Sequence, residues 1–102
     1  MEKILIKPED YEALVRECYE SDKDHISKIH FYSDLGFEAC IKNTARDAWI
    51  YNVQWYKVLE DNKTVGYFGH EVFNEQDWLT GFFIKPEFRK SKQDFWKVIT
   101  DH

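Results

Sequence analysis

The apolar positions along the chain follow a helical period in some segments and a strand period in others. After Pro8, which suits the first turn of a helix, apolar residues recur on one stripe and predict a first helix. The members of this stripe are Tyr11, Leu14, Val15, Cys18 and Tyr19. Residues 25 to 32 fit either a short helix or an irregular crossing segment. A second helix is expected from residue 34 to residue 47, with Ser33 or Asp34 as its cap.

Alternation of apolar and polar residues predicts strands in other parts of the chain. Residues 3 to 7 indicate a short first strand, and residues 49 to 60 indicate a strand with one buried face. Residues 64 to 73 and 78 to 84 predict two more strands. Polar turns join these three consecutive strands, which must then be antiparallel neighbours. We therefore expect an α+β (mixed α/β) fold, an antiparallel strand meander flanked by helices, in a single domain of residues 1–102.

Aromatic residues make up 18% of the chain, so rings packed against the sheet are expected to form much of the core. The expected core and sheet-covering rings are Trp49, Tyr51, Trp55, Tyr67, Phe73, Trp78, Phe82 and Phe83. Such rings also form base-stacking platforms, but those platforms accompany basic surfaces. The net charge of −5 argues against nucleic-acid binding and against binding to an anionic membrane.

The two cysteines, Cys18 and Cys40, are far apart in the sequence and form no CxxC pair. They are typical of buried thiols in a reducing compartment rather than of a disulfide or a metal site. The first residues show no signal-peptide pattern, and no run approaches the roughly 18 apolar residues of a membrane span. We therefore expect a cytoplasmic protein with no membrane segment and no bound metal.

The stretch from Trp78 to Ile99 combines an apolar strand, a basic turn and a helix. Pro86 ends the strand because it cannot donate to a ladder. The last part of the stretch predicts a helix, because four apolar residues recur there at helical spacing: Phe95, Trp96, Val98 and Ile99. Residues 85 to 97 hold five bases and two acids, whereas residues 9 to 24 hold seven acids and two bases. Free amides at a helix start bind anions, so the turn is a candidate phosphate site, the alternative being a solvated basic turn.

Two motifs in the second half of the chain resemble the GNAT N-acetyltransferase superfamily. The sequence EDNKTVGYF, from Glu60 to Phe68, resembles the family's hairpin, in which a polar turn precedes a Val-Gly-aromatic strand. The sequence FIKPEFR, from Phe83 to Arg89, resembles the V-x-P-E-[YF]-R end of the family's fourth strand. The sequence HFYSDLGF, residues 30 to 37, is similar to acetyltransferase-like proteins encoded by bacteriophages.

This resemblance implies acetyl-CoA as the cofactor, because in the family the turn after the fourth strand binds its pyrophosphate and the strand end pairs with pantetheine. The cofactor-binding residues that it implies are Phe83, Ile84, Arg89, Lys90, Ser91, Lys92 and Gln93. Acetyl transfer to an amine needs a general base within hydrogen-bond reach. His70 and Glu71 are the candidate catalytic residues, and only one of them would face a cleft because neighbours in a strand point to opposite faces.

The chain departs from the family in two respects. Residues 89 to 94 contain no glycine, where the family uses glycines to let the backbone approach the phosphates. The sequence also ends at His102, just after the helix that follows the fourth strand, whereas the family continues into further strands and helices. The resemblance therefore implies a shortened or degenerate member, or one that completes its sheet with another chain.

Two functions follow from these observations. The first is a GNAT-like protein that binds acetyl-CoA and transfers acetyl to an amine. The second is a non-catalytic, phage-encoded interaction or inhibitor protein that retains the acetyltransferase scaffold. In the second, a homodimer or a protein partner would form through the unpaired edge of the last strand, since exposed edges invite pairing. The acidic first helix fits a solvated face or a mimic of nucleic-acid charge.

Overall fold

A computed structural model describes residues 1–26, 28 and 36–101. The strands in these ranges are β1 (Glu2–Leu5), β2 (Gln54–Glu60), β3 (Lys63–Phe73) and β4 (Gln76–Ile84). The α-helices in the same ranges are α1 (Tyr11–Glu20), α2 (Lys23–Ile26), α3 (Phe37–Ile50) and α4 (Lys92–Thr100). Two 3-10 helices, η1 (Pro8–Asp10) and η2 (Pro86–Ser91), lead into α1 and α4. The predicted cap at Ser33 or Asp34 lies outside the described residues.

The four strands form one antiparallel sheet in the order β1-β2-β3-β4. Two-residue turns at Asp61-Asn62 and Asn74-Glu75 join the last three strands, and all four turn residues have positive φ. This is the type I′ geometry, whose twist matches that of the flanking strands. The sheet confirms the predicted α+β fold with an antiparallel meander, and it leaves β1 and β4 at its two edges.

Helices cover both faces of the sheet. On one face, α1 and α3 pack over Trp55 and Tyr67, whose rings stack with centroids 4.8 Å apart. On the other face, α4 packs over Phe68 through the fully buried ring of Phe95. No helix in the described part of the chain is long and apolar enough to cross a membrane.

The predicted start of the second strand is wrong. Residues 49 and 50 belong to α3, and residues 51–53 connect α3 to β2. Ala48 is buried in the core between α1 and the sheet, which keeps this turn helical. The predicted burial of Trp49 and Tyr51 is also wrong, because they are 56% and 68% exposed at the end of α3. Aromatic residues fit both periods, so alternation alone does not locate this boundary.

The predicted burial of the aromatic set is also wrong on β4. Tyr67 is buried and Phe83 is half-buried, but Trp78 and Phe82 are about half exposed. The expected burial of Phe73 falls outside what the structure describes. Because β4 is at the edge of the sheet, its side chains have a neighbouring strand on one side alone.

Candidate functional site

β4 is an edge strand, and within the described residues no strand pairs with its outer side. The amide of Lys85 donates to the carbonyl of Val65 at 2.8 Å, which fixes the alternation of the ladder at this end. In an antiparallel ladder, alternate residues turn both backbone groups to the same neighbour. The amide and carbonyl of Phe83 therefore face β3, whereas those of Phe82 and Ile84 face outward.

A bulge shifts this alternation in the middle of β4. Thr80 is skipped in the register between β3 and β4 and is therefore the extra residue of the bulge. At the hairpin end, the strand residues that flank a two-residue turn bond to each other. Gln76 accordingly faces β3, and the backbone groups of Asp77 and Leu79 face outward.

Large apolar side chains lie along this outer side. Leu79 is 42% exposed and Phe82 is 47% exposed. The ring of Phe82 contacts Trp96 of α4, with centroids 5.1 Å apart, and Trp96 is itself 39% exposed. We call Leu79, Phe82 and Trp96 the edge strip. It places an apolar surface next to the outward-facing backbone groups of β4.

α4 runs antiparallel to β4 beside the edge strip. It begins after η2, which follows the end of β4, and its last residues reach the hairpin end of β4. There, Ile99 and Thr100 line a groove of about 270 Å³ together with Asp77 and Leu79. The two ends of the edge strip are therefore the start of α4 and the hairpin between β3 and β4.

The charges at these two ends are opposite. Lys92 is one helical turn before Trp96 and so lies on the same flank of α4, next to the edge strip. Asp94 is two residues from each of them and lies on another flank. Asp77 lies at the hairpin end with its side chain 67% exposed, and Glu75 in the adjacent turn is also exposed. The edge strip thus has a basic end and an acidic end.

The basic turn after β4 is tied to the acidic segment around α1. Lys85 Nζ donates to Glu17 Oε2 at 2.7 Å, and Arg89 donates to Asp22 Oδ2 at 2.9 Å. Only 13% of the Lys85 side chain is exposed. Arg89, a predicted phosphate contact, and Lys85, another base of the stretch from 85 to 97, therefore hold β4 and η2 against α1.

The two backbone amides predicted to bind pantetheine point to opposite sides of β4. Phe83 faces β3, and its ring packs against Tyr19 and Tyr67 with centroids 5.6 and 6.2 Å away. Ile84 faces outward, but Arg89 Nε donates to its carbonyl at 3.0 Å and covers this end of the strand. One of the two predicted amides is thus placed to meet a ligand at the open edge.

The predicted phosphate-binding turn is helical rather than an open loop. Residues 86–91 form a 3-10 helix that continues directly into α4. Such a helix uses its amides in bonds to carbonyls three residues earlier, as the amide of Phe88 does to the carbonyl of Lys85 at 2.9 Å. The remaining predicted phosphate contacts all belong to this continuous helical run: Lys90, Ser91, Lys92 and Gln93.

His70 and Glu71, the predicted general base, lie at the hairpin end of β3. His70 Nε2 is 3.2 Å from Asp77 Oδ1, and 13% of its side chain is exposed. Glu71 points to the opposite face of the sheet, as alternation along a strand requires. His70 and Thr100 line the same groove, and Lys92 lies eight residues before Thr100, which is about 12 Å along the axis of α4. The structure therefore separates the predicted catalytic pair from the predicted cofactor turn.

Both cysteines are buried and free, as the sequence predicts. Burial raises the pKa of the Cys18 thiol to about 12 and also raises the pKa of Cys40. Neither thiol is therefore an activated nucleophile. The described residues contain no group of three or more histidine, cysteine, aspartate or glutamate side chains placed to hold a metal ion.

A separate groove of about 490 Å³ lies where the end of β1 meets the end of α3. Leu5, Pro8, Tyr11 and Trp49 are among its lining residues. None of the residues predicted from the sequence to bind a cofactor or to act in catalysis lines it. It is therefore unrelated to the site at β4.

Comparison of the chain with protein-family models, with curated proteins and with solved structures finds no match. The relation to the GNAT superfamily therefore stays a prediction that rests on the motifs in β2–β3 and at the end of β4. The function is therefore inferred from the geometry of β4.

Sequence reasoning alone does not identify Glu17 and Asp22 as partners of the basic turn. They are 68 and 67 positions away from Lys85 and Arg89, so no local spacing reveals the contact. The available signal is the opposite charge excess of residues 9–24 and 85–97. The edge strip gives a weaker signal, because its exposed rings look like core residues in the sequence.

Proposed function

We propose that this chain is a non-catalytic interaction protein on a GNAT-like scaffold, and that it binds a partner along the outer edge of β4. The observation that carries the proposal is the edge itself. Outward-facing backbone groups at Asp77, Leu79 and Phe82 run beside the exposed edge strip. An added strand would satisfy these backbone groups while its side chains cover the apolar surface. The order of strand, helices, three-strand meander and final helix supports the scaffold.

The contacts of the basic turn favour this function over cofactor binding. A pyrophosphate at this turn would compete with Glu17 and Asp22 for Lys85 and Arg89. The turn is also a 3-10 helix, which engages amides that a phosphate would need.

A selection from a display library of extended peptides tests the proposal, with the chain immobilised at low density. The matched variants are Gly81→Lys and Gly81→Thr, because a side chain at Gly81 meets no atom within 4 Å and should leave the fold intact. Peptides that bind the wild type and the threonine variant, but not the lysine variant, support a site on β4. A selection that enriches no peptide, or only peptides that bind all three proteins equally, overturns the proposal.

Acetyl-CoA binding is a second candidate function, favoured by one observation. The amide of Ile84 faces the open edge, and the exposed bases Lys90 and Lys92 follow it in the helical run. Titration calorimetry with millimolar acetyl-CoA measures this directly. Saturable heat that is lost in a Lys90→Glu/Lys92→Glu variant supports cofactor binding, and absence of heat together with an unchanged melting temperature excludes it.

A further inference from the structure

We infer that the partner along β4 is a second copy of this chain, an inference that rests on the proposed function of the β4 edge. A two-fold interface uses the same patch on both copies, so the patch must be complementary to itself. The edge strip has this property. Its centre is apolar, Asp77 and Glu75 lie at one end, and Lys92 lies at the other.

The direction of pairing follows from these charges. When two β4 strands pair antiparallel about a two-fold axis, the hairpin end of each copy meets the α4 start of the other. Asp77 and Glu75 of one copy then approach Lys92 and Lys90 of its partner at both ends of the interface. A parallel arrangement would bring like charges together, which is destabilising. The charge pattern therefore favours antiparallel pairing of identical strands into a continuous sheet.

Gly81 has no side chain that would obstruct this pairing. Gly81 is close to the midpoint of the strand, and a Cβ placed there meets no atom within 4 Å. In an antiparallel pair centred on β4, the two copies of this residue come near each other. Leu79 and Phe82 flank this point and would be covered by the same side chains of the partner, while Trp96 adds apolar surface from α4.

Charge-swap complementation tests the inference. One variant carries Glu75→Lys and Asp77→Lys, and the other carries Lys90→Glu and Lys92→Glu. Alone, each variant would place like charges at both ends of the dimer, and we expect its dissociation constant to rise at least tenfold. In a mixed dimer, the lysines at the hairpin of the first variant face the glutamates at the α4 start of the second. At the other end, the native acids of the second variant face the native lysines of the first. An equimolar mixture should therefore dimerise like the wild type.

Light scattering and sedimentation equilibrium over a range of concentrations give the masses. The inference predicts a wild-type mass of twice 12.4 kDa, a monomeric Gly81→Lys variant and a dimeric Gly81→Thr control. A wild type that stays monomeric at millimolar concentration overturns it, and so does a charge-swapped mixture that remains monomeric while both variants melt cooperatively. If the monomer still selects peptides through β4, the second-copy inference fails and the proposed interaction function stands. If neither is observed, both fail.

Discussion

The same substitution, glycine to alanine, should have opposite effects at two positions in the β3–β4 hairpin. A Cβ at Gly66 of β3 would lie 1.9 Å from the carbonyl oxygen of Phe83, whereas a Cβ at Gly81 of β4 would meet no atom within 4 Å. Real Cβ contacts essentially never fall below 3.0 Å, so Gly66→Ala must push β3 and β4 apart by about 1 Å. Overpacking of this kind costs about 1–3 kcal/mol, and the loss of one or two ladder bonds adds about 1 kcal/mol each.

We therefore expect Gly66→Ala to lower the free energy of unfolding by about 2–5 kcal/mol. Gly81→Ala should leave it unchanged or raise it by up to about 1 kcal/mol, because the unfolded chain loses freedom without strain in the strand. Urea unfolding followed by tryptophan fluorescence, at a protein concentration low enough to avoid association, measures both. Equal effects of the two substitutions, or a larger loss at Gly81, would refute the β3–β4 register and the openness of β4.

Three further predictions concern the core and the contacts of α1. Phe95→Ala should lower the free energy of unfolding by about 3–5 kcal/mol, because its ring is fully buried between α4 and Phe68. Burial raises the pKa of Glu17, but hydrogen bonds from Lys85 and Thr64 outweigh it and lower the net pKa. Its carboxylate therefore stabilises the fold above the unfolded pKa of about 4.3, and this contribution is lost as pH falls through the lower folded pKa. Glu17→Gln should then cost under about 1 kcal/mol at neutral pH and nothing in strong acid. Cys18 should not react with a thiol reagent in the native chain, because it is fully buried and its pKa is raised to about 12.

Each of these predictions has a matched control. Phe95→Leu keeps most of the volume and should cost less than about 1.5 kcal/mol; an equal loss for leucine and alanine would argue against a packed ring. For Glu17, the free energies of unfolding of the wild type and Glu17→Gln should converge as the pH falls. A difference between them that grows in acid would contradict the lowered pKa of Glu17. For Cys18, the same reagent in urea should label the thiol fully. Labelling at the same rate without urea would contradict the burial of Cys18 on the inner face of α1.

The parts of the fold that local sequence specifies could be predicted. The stripe of Tyr11, Leu14 and Val15 identifies α1, because these apolar residues recur at helical spacing and form the buried face of the helix. The turns at Asp61-Asn62 and Asn74-Glu75 identify the hairpins, since few residues accept positive φ. The antiparallel meander follows from these short connections alone.

The boundary between α3 and β2 could not be predicted in this way. Trp49 and Tyr51 are large and alternate with polar residues, which is also what a strand shows. Tertiary packing decides the outcome, because Ala48 fits the core between α1 and the sheet and keeps the segment helical. The exposure of Trp49 follows from that packing, and the neighbouring residues in the sequence do not indicate it.

The role of the candidate site depends on residues that are distant in the sequence. Lys85 and Arg89 form a basic cluster in the sequence, and only the fold shows that Glu17 and Asp22 neutralise them. The open edge of β4 likewise depends on strand order rather than on composition. Phe82, with a strand-like apolar environment in the sequence, is exposed because no described strand lies beside it.

Amide hydrogen exchange along β4, resolved by NMR and repeated at low and high protein concentration, tests the central claim most directly. The amides of Gly81 and Phe83 face β3 and should exchange slowly at every concentration. The amides of Leu79 and Phe82 face outward and should exchange fast in dilute solution but become protected as the second copy, or a selected peptide, pairs with the edge. Fast exchange of Leu79 and Phe82 under all of these conditions would contradict the assignment of β4 as the binding edge.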